Sequence, residues 1–138
     1  MSLFLDTSAL IARYHSKDRH HGDATSYMRK IQTGEAGVRR LCTSDYVIDE
    51  VVTTIFARTG SFELTKAYGQ AIIDSKAIDR LTVDEETFVE SWEFFKKMGS
   101  IGLSFTDATS AVLVKKEGIQ AIFTFDEHFK KLGFITVP

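Results

Sequence analysis

The sequence is poor in cysteine and proline, and neither residue type can organise the fold. Among 138 residues there is one cysteine, Cys42, and one proline, Pro138, which is the last residue. A lone cysteine excludes an intramolecular disulfide and a cysteine-rich zinc site, and it is typical of proteins from a reducing cytoplasm. No linker rich in proline, glycine or serine divides the chain, so we expect a single domain over residues 1–138.

Long apolar runs and an excess of one charge sign are missing as well. No apolar run approaches the roughly 20 residues that span a bilayer, and the N-terminus lacks the basic and apolar segments of a signal peptide. We therefore expect a cytoplasmic protein without a membrane partner. The 17 basic and 19 acidic residues give a net charge of −2, which neither indicates nor excludes a nucleic-acid partner.

Short apolar strands alternate with helical segments along the chain. The predicted strands are residues 3–6, 38–44, 77–83, 119–125 and 134–138. The predicted helices are residues 7–14, 18–32, 45–59, 62–76, 84–98, 104–118 and 126–133. This alternation predicts βαβ units, and hence an α/β fold with a mostly parallel sheet of four to five strands flanked by helices.

Four acidic residues fall at positions that such a sheet brings to one edge. Asp6 ends the first strand, and Asp126 follows the strand at 119–125. Asp107 lies in the first turn of the helix that leads into that strand, and Glu50 flanks the apolar stripe of the helix at 45–59. Because the carboxyl ends of parallel strands share one edge, we expect the four side chains to converge there.

Each of these residues also has a purely structural explanation. Asp6 and Asp126 can cap the helices that follow them, Asp107 can complete a capping box with Ser104, and Glu50 can be a solvated surface residue. Capping is a sufficient explanation for each residue alone. It does not explain why the acids gather at one edge of the sheet.

Clustered carboxylates favour the binding of a hard divalent cation. Their mutual repulsion is relieved by Mg²⁺ or Mn²⁺, which prefer oxygen ligands. Such a cation polarises a phosphoryl oxygen and lowers the pKa of a bound water, and a second metal about 4 Å away can stabilise the leaving oxygen. The pattern therefore predicts phosphodiester hydrolysis, a reaction that requires neither cysteine nor histidine.

The motifs that carry these acids resemble those of the PIN-domain family, and most of all its VapC-type toxins. The similar segments are FLDTSALIA, DEVV, LSFTDATSAVLVKKEGIQAIFTFDEHF and KKLGFITVP, which together span essentially the whole chain. The individual motifs are common, whereas the ordered set of four acids with T-x-D-x-x-F near the C-terminus is fairly specific. The resemblance implies a metal-dependent endoribonuclease with a Rossmann-like parallel sheet.

The resemblance also implies roles for individual residues and for partners. The family's acidic quartet corresponds to Asp6, Glu50, Asp107 and Asp126, which become the expected catalytic residues and ligands of Mg²⁺ or Mn²⁺. Ser8 and Thr124 match the family's polar positions and are expected to support cofactor binding. An RNA substrate, an antitoxin whose tail fills the cleft, and a homodimer are the partners that it implies.

Other interpretations stay open at this point. A PIN domain can serve in RNA processing without an antitoxin, and a phosphoacceptor or a non-catalytic binding module can share the α/β fold. Some basic side chains can contact phosphates, although ordinary surface charge is the preferred explanation for most of them; they are Arg39 and Arg40, and Arg13, Lys17 and Arg19 near the first strand–helix turn. The adjacent His20 and His21 are expected at the surface. Apolar residues at Ile72, Ile73, Phe94 and Phe95 fit either a core or a protein contact.

Overall fold

The computed structural model describes all 138 residues and contains a five-stranded, wholly parallel sheet. The strands are β1 (Ser2–Leu5), β2 (Arg40–Ser44), β3 (Ile78–Leu81), β4 (Ala121–Phe123) and β5 (Thr136–Val137), in the order β3-β2-β1-β4-β5. The central strand β1 pairs on one side with β2, where Phe4 faces Cys42, and on the other with β4, where Phe4 faces Ile122. The predicted α/β fold with a parallel sheet is confirmed.

Seven α-helices connect and flank these strands. They are α1 (Thr7–Tyr14), α2 (His21–Gln32), α3 (Asp45–Thr59), α4 (Phe62–Asp74), α5 (Glu85–Met98), α6 (Phe105–Lys116) and α7 (Glu127–Lys131). A short 3₁₀ turn at Gly99–Ile101, which the sequence analysis did not predict, joins α5 to the segment before α6. None of the helices is both long and apolar enough to cross a membrane.

Local signals explain where the long helices begin and end. The Ser44 side chain accepts a hydrogen bond from the backbone N–H of Val47 at the start of α3, and Ser61 does the same for Leu64 at the start of α4. Gly60 ends α3 in a left-handed conformation with φ of 63°, which favours glycine. The two helices therefore meet in a tight corner.

The core packs against the central strands and supports the carboxyl edge of the sheet. In β1 the side chains of Leu3, Phe4 and Leu5 are buried, and β4 is buried throughout. Helix α6 is buried from Asp107 to Val114, so its first turn is held against the same carboxyl edge at which β1 and β4 end. This arrangement gives the strand ends and the α6 N-terminus a common, well-packed support.

The four apolar residues that were expected either in the core or at a protein contact differ in their exposure to solvent. Ile72 is buried in the main core, whereas Ile73, one residue later on α4, is exposed. Phe94 and Phe95 are half-buried on α5. The side chain of Phe56, at the end of the α3 stripe, is also exposed.

Candidate active site

Four acidic side chains from four parts of the chain line one cavity at the carboxyl edge of the sheet. They are Asp6 after β1, Glu50 on α3, Asp107 in the first turn of α6 and Asp126 before α7. The cavity, called here the carboxylate cavity, has a volume of about 300 Å³ and also contacts Arg58 and His128. The predicted convergence of the four acids is therefore observed in the fold.

Asp6 is buried, and its side chain does not cap the helix that it precedes. It occupies the N-cap position of α1, yet it makes no side-chain capping hydrogen bond. Instead its Oδ2 accepts hydrogen bonds from Thr124 Oγ1 at 2.7 Å and from Ser8 Oγ at 3.0 Å. Its Oδ1 is buried and has no hydrogen-bond partner, and the residue as a whole is only 2% exposed. Helix capping therefore fails as the explanation of this residue.

The environment of Asp6 disfavours its charged form. Burial raises its pKa from 3.8 to about 6, against the opposite effect of the hydrogen bonds from Thr124 and Ser8. The negative charge of Glu50 adds to the increase. A positive charge next to the free oxygen would remove this cost.

Ser8 and Thr124 form a polar link between the ends of β1 and β4. Their hydroxyl oxygens are 3.2 Å apart, and both donate to the same oxygen of Asp6. Ser8 Oγ also accepts from the backbone N–H of Phe125 at 2.9 Å, and Thr124 Oγ1 accepts from that of Asp126 at 3.0 Å. The two hydroxyls therefore fix the orientation of Asp6 and the path of the chain that carries Asp126.

Asp107 has a structural role and a perturbed charge at the same time. Its Oδ2 accepts the backbone N–H of Ser104 at 3.1 Å, and Ser104 Oγ accepts the backbone N–H of Asp107 at 3.0 Å, which completes the predicted capping box. Burial, followed by the negative charge of Asp6, raises the pKa of Asp107 to about 7. The charges of Asp126 and Glu50 act in the same direction. The capping box alone does not account for this repulsion.

Glu50 is connected to Asp107 through Ser104. The Ser104 hydroxyl donates to Glu50 Oε2 at 3.3 Å, while it also accepts from the N-terminal turn of α6. Glu50 is half-buried, and the neighbouring Asp49 is exposed. This difference follows from the helical spacing, which turns the two residues to different faces of α3.

Asp126 caps α7 and brings a histidine that the sequence analysis missed. Its Oδ1 accepts the backbone N–H of His128 at 2.9 Å. The Nδ1 atom of His128 lies 2.9 Å from that same oxygen and 3.9 Å from Asp107 Oδ2, yet it has no hydrogen-bond partner. One potential ligand atom from each of Asp107, Asp126 and His128 lies within 4.8 Å of the others. The position of His128 two residues after Asp126, in the first turn of a short helix, is the signal that could have identified it.

Arg58 is the one cationic side chain of Lys or Arg type at the carboxylate cavity. Its Nη1 donates to Asp18 Oδ2 at 3.0 Å, so its ion pair is with the α1–α2 loop and not with Asp49. Asp49, on the other face of α3, is exposed to solvent.

The donor set suits a hard divalent cation. It consists mainly of carboxylate oxygens, and one of them, Asp6 Oδ1, is buried without a partner. A cation next to that atom would satisfy it and would relieve the repulsion that raises the pKa of Asp107. The residues present therefore fit Mg²⁺ or Mn²⁺, and the imidazole of His128 adds a nitrogen donor that Mn²⁺ accepts more readily than Mg²⁺.

Comparisons with known proteins extend over the whole fold. The family model described as PIN domain matches residues 3–135. The chain is 29% identical over 135 residues to the 23S rRNA-specific endonuclease VapC20 of Mycobacterium tuberculosis, covering 98% of this chain and 97% of that protein. The crystal structure of VapC20, described as a sarcin-ricin loop cleaving toxin, superposes with a TM-score of 0.82 and covers 98% of each chain.

More distant structures share the fold. A chain of VapBC2 from Rickettsia felis, solved with a promoter DNA fragment, gives a TM-score of 0.71 at 14% identity, covering 99% of this chain and 98% of that one. PAE2754 from Pyrobaculum aerophilum gives 0.63 at 19% identity, covering 99% and 90%. At these identities the likeness concerns the fold alone.

Proposed function

Because the chain belongs to the PIN-domain family, we propose that it is a metal-dependent endoribonuclease and the toxin of a toxin–antitoxin pair. The observation that carries the proposal is the buried Asp6, whose Oδ1 has no partner and which lies in one cavity with three other carboxylates. Without a cation at this edge, the mutual repulsion of four carboxylates would be uncompensated.

We propose Asp6, Glu50, Asp107 and Asp126 as the catalytic residues and as the residues that hold Mg²⁺ or Mn²⁺. When bound, the cation would polarise the phosphoryl oxygen and lower the pKa of a bound water. Ser8 and Thr124 act through Asp6, because their hydroxyls hold one carboxylate oxygen and leave the other without a hydrogen-bond partner. They are therefore positioning residues that support cofactor binding.

The remaining contacts keep the site ordered before substrate arrives. Ser104 holds Asp107 through the capping box and contacts Glu50, so two of the acids are positioned by one side chain. Arg58 is held at the edge of the cavity by Asp18 and leaves further guanidinium N–H groups available for a phosphate. These contacts hold two of the acids and one guanidinium at the cavity.

RNA is the substrate class that we propose, on the basis of the relative that is named as a 23S rRNA-specific endonuclease. The same relative's structure is described as a toxin, which supports an antitoxin as the partner of this chain. We further propose that residues 1–138 act as one domain in the cytoplasm and that the exposed apolar side chains of α4 and α5 serve a homodimer.

Cleavage assays with defined metals test the enzymatic proposal. We expect a labelled RNA to be cut in the presence of Mg²⁺ or Mn²⁺ and to remain intact in excess EDTA. Asp107→Asn should lower kcat at least 100-fold, because the variant loses a ligand charge at the proposed metal site. Asp49→Asn, which changes an exposed acid of α3, should cut like the parent protein. Undiminished cleavage in EDTA would contradict the metal mechanism.

Expression in a bacterial host tests the toxin role separately. Induction of the parent gene should arrest growth, and induction of the Asp6→Asn variant should not. Co-expression of a neighbouring antitoxin gene should restore growth. If an enzyme that is active in the cleavage assay leaves growth unaffected, the chain is better described as an RNA-processing PIN ribonuclease.

A further inference from the structure

A second cavity opens beside the carboxylate cavity, and its lining differs in character. This cavity, called here the loop cavity, has a volume of about 620 Å³ and is formed largely by the α1–α2 loop and the segment after β4. It shares Ser8, Ile11, Arg58 and Asp126 with the carboxylate cavity. The two cavities are therefore contiguous, and a ligand in one can continue into the other.

Unpaired cations stand in the loop cavity. Lys17 and Arg19 line it, and neither takes part in an ion pair, while Arg19 Nε donates a hydrogen bond to His20 Nε2 at 3.0 Å. The charges of Arg58 and Asp18 offset each other at 3.0 Å, and Asp126 belongs to the proposed metal site. Of the acids that line the cavity, only Glu127 is left to oppose the two free cations.

A flat aromatic platform lies in the same cavity. The rings of His20 and Phe125 stack with centroids 4.3 Å apart and planes 3° from parallel, and both side chains are half-buried. Asp18 Oδ1 accepts the backbone N–H of His20 at 2.8 Å. Ser8 Oγ accepts the backbone N–H of Phe125 and also donates to Asp6. The platform is thus tied through Ser8 to the first carboxylate of the proposed catalytic site.

Cations beside a stacking surface are the combination that recognises single-stranded nucleic acid. Lysine and arginine contact the phosphates, and aromatic rings receive unpaired bases. A base that is paired in a helix cannot present its face to such a platform. The two features do not suit a small apolar ligand, because only two of the 11 residues that line the loop cavity are hydrophobic.

We propose that the loop cavity binds the unpaired nucleotides next to the scissile phosphate, with Lys17 and Arg19 on the backbone and a base against the His20–Phe125 platform. This inference rests on the proposed ribonuclease function and adds a property to it. The enzyme selects RNA that is unpaired on one side of the cut. The protein residues that make this selection lie outside the acidic quartet.

Binding measurements on a variant that does not cut isolate this property. In an Asp6→Asn background with MgCl₂, the affinity for a fluorescein-labelled 12-nucleotide single-stranded RNA is measured by anisotropy over a range of salt concentrations. Each neutralised phosphate contributes about 0.7 to the slope of log K against log salt for single strands, so the added double change Lys17→Ala and Arg19→Ala should reduce its magnitude by about 1.4. The control double variant, Arg29→Ala with Lys97→Ala, also removes one arginine and one lysine. Because these two residues line neither cavity, it should leave the slope unchanged.

The platform is tested by comparing single-stranded with duplex RNA. The Asp6→Asn protein should bind the single strand at least 10-fold more tightly than a duplex of the same length. His20→Ala in that background should weaken single-strand binding about 5- to 150-fold, as expected for loss of a base-stacking surface. It should change duplex binding by less than twofold, which a general loss of folding would not produce.

The outcomes separate this inference from the proposed function. If the parent protein cuts RNA but the Lys17 and Arg19 variant has the same slope as the control, or if His20→Ala weakens single-strand and duplex binding equally, the inference is wrong and the ribonuclease proposal stands. If the slope and strand preference depend on these residues while no RNA is cut with any divalent metal, the loop cavity is an RNA-binding site and the enzymatic proposal fails.

Discussion

Changing Asp6 to asparagine should stabilise the metal-free protein, because it removes the buried negative charge and nearly preserves the shape of the side chain. The Asp6 carboxylate is buried, and its Oδ1 has no partner. Asparagine keeps an acceptor oxygen for the hydroxyls of Ser8 and Thr124, which now donate to Oδ2. It also remains a residue that is favourable at the N-cap position of α1.

The size and pH dependence of the effect follow from the pKa of Asp6. Because burial raises this pKa from 3.8 to about 6, the folded protein retains a proton that the unfolded chain has lost. Stability of the parent therefore falls as pH rises between these two values and is constant above them. The advantage of the asparagine variant should be about 1 kcal/mol at pH 4.5 and about 3 kcal/mol at pH 8, at about 1.4 kcal/mol for each unit of pKa.

Urea unfolding in EDTA at the two pH values measures this advantage, and Asp49→Asn serves as the control for loss of an exposed acid. Added Mn²⁺ should then stabilise the parent by about 3 kcal/mol at 100 times its Kd and should stabilise Asp6→Asn much less. An Asp6→Asn protein that is less stable than the parent at pH 8, or that retains the full response to Mn²⁺, would refute the assignment of Asp6 to a charged metal site.

Four further substitutions, at Asp126, Thr124 and His128, test the other residues of the site. Asp126→Asn keeps a residue that can cap α7 and should lower cleavage at least 10-fold with a change in unfolding free energy below about 0.5 kcal/mol, whereas Asp126→Ala should cost about 1 kcal/mol more by urea unfolding. Thr124→Val removes a hydrogen bond that lowers the pKa of Asp6, so this pKa should rise further. The fall in unfolding free energy of the metal-free protein with rising pH should therefore continue to a higher pH than in the parent. His128→Asn should weaken Mn²⁺ binding about 10-fold in calorimetry and Mg²⁺ binding less than threefold, because imidazole favours Mn²⁺. Equal losses for both metals would contradict a ligand role for His128.

Periodicity and caps were sufficient to predict most of the fold. The predicted bounds of α1 and α3 agree with the structure at both ends, and the structure shows Ser61 and Asp84 as the caps of α4 and α5. The predicted α2 begins too early, at residue 18. Asp18 accepts the backbone N–H of His20, which holds residues before His21 in a turn. A side chain that bonds to the backbone of a nearby residue competes with the helix, and sequence spacing does not reveal which of the two prevails.

Residues that act through tertiary contacts were less predictable. His20 and His21 were expected at the surface, yet both are half-buried: His20 stacks on Phe125, and His21 Nδ1 lies 2.7 Å from the carbonyl oxygen of Ala12. His128 was missed for a similar reason, because its proximity to Asp107 depends on how α7 packs against the start of α6. The strand and helix ends were predictable from local pattern, whereas side-chain partners from distant segments were not.

Hydrogen bonding within the protein and metal binding are compatible for the four acids because the hydrogen bonds occupy only one oxygen of each carboxylate. Asp107 Oδ2 and Asp126 Oδ1 accept the backbone N–H groups of their helices, Glu50 Oε2 accepts from Ser104, and Asp6 Oδ2 accepts from two hydroxyls. In every case the hydrogen bonds hold one carboxylate oxygen and leave the second without a donor from the protein. In Asp107 and Asp126, the two acids that cap helices, capping fixes the rotamer at no cost to the free oxygen. A helix cap is therefore a suitable way to aim a ligand, and the presence of a cap is no argument against a metal site.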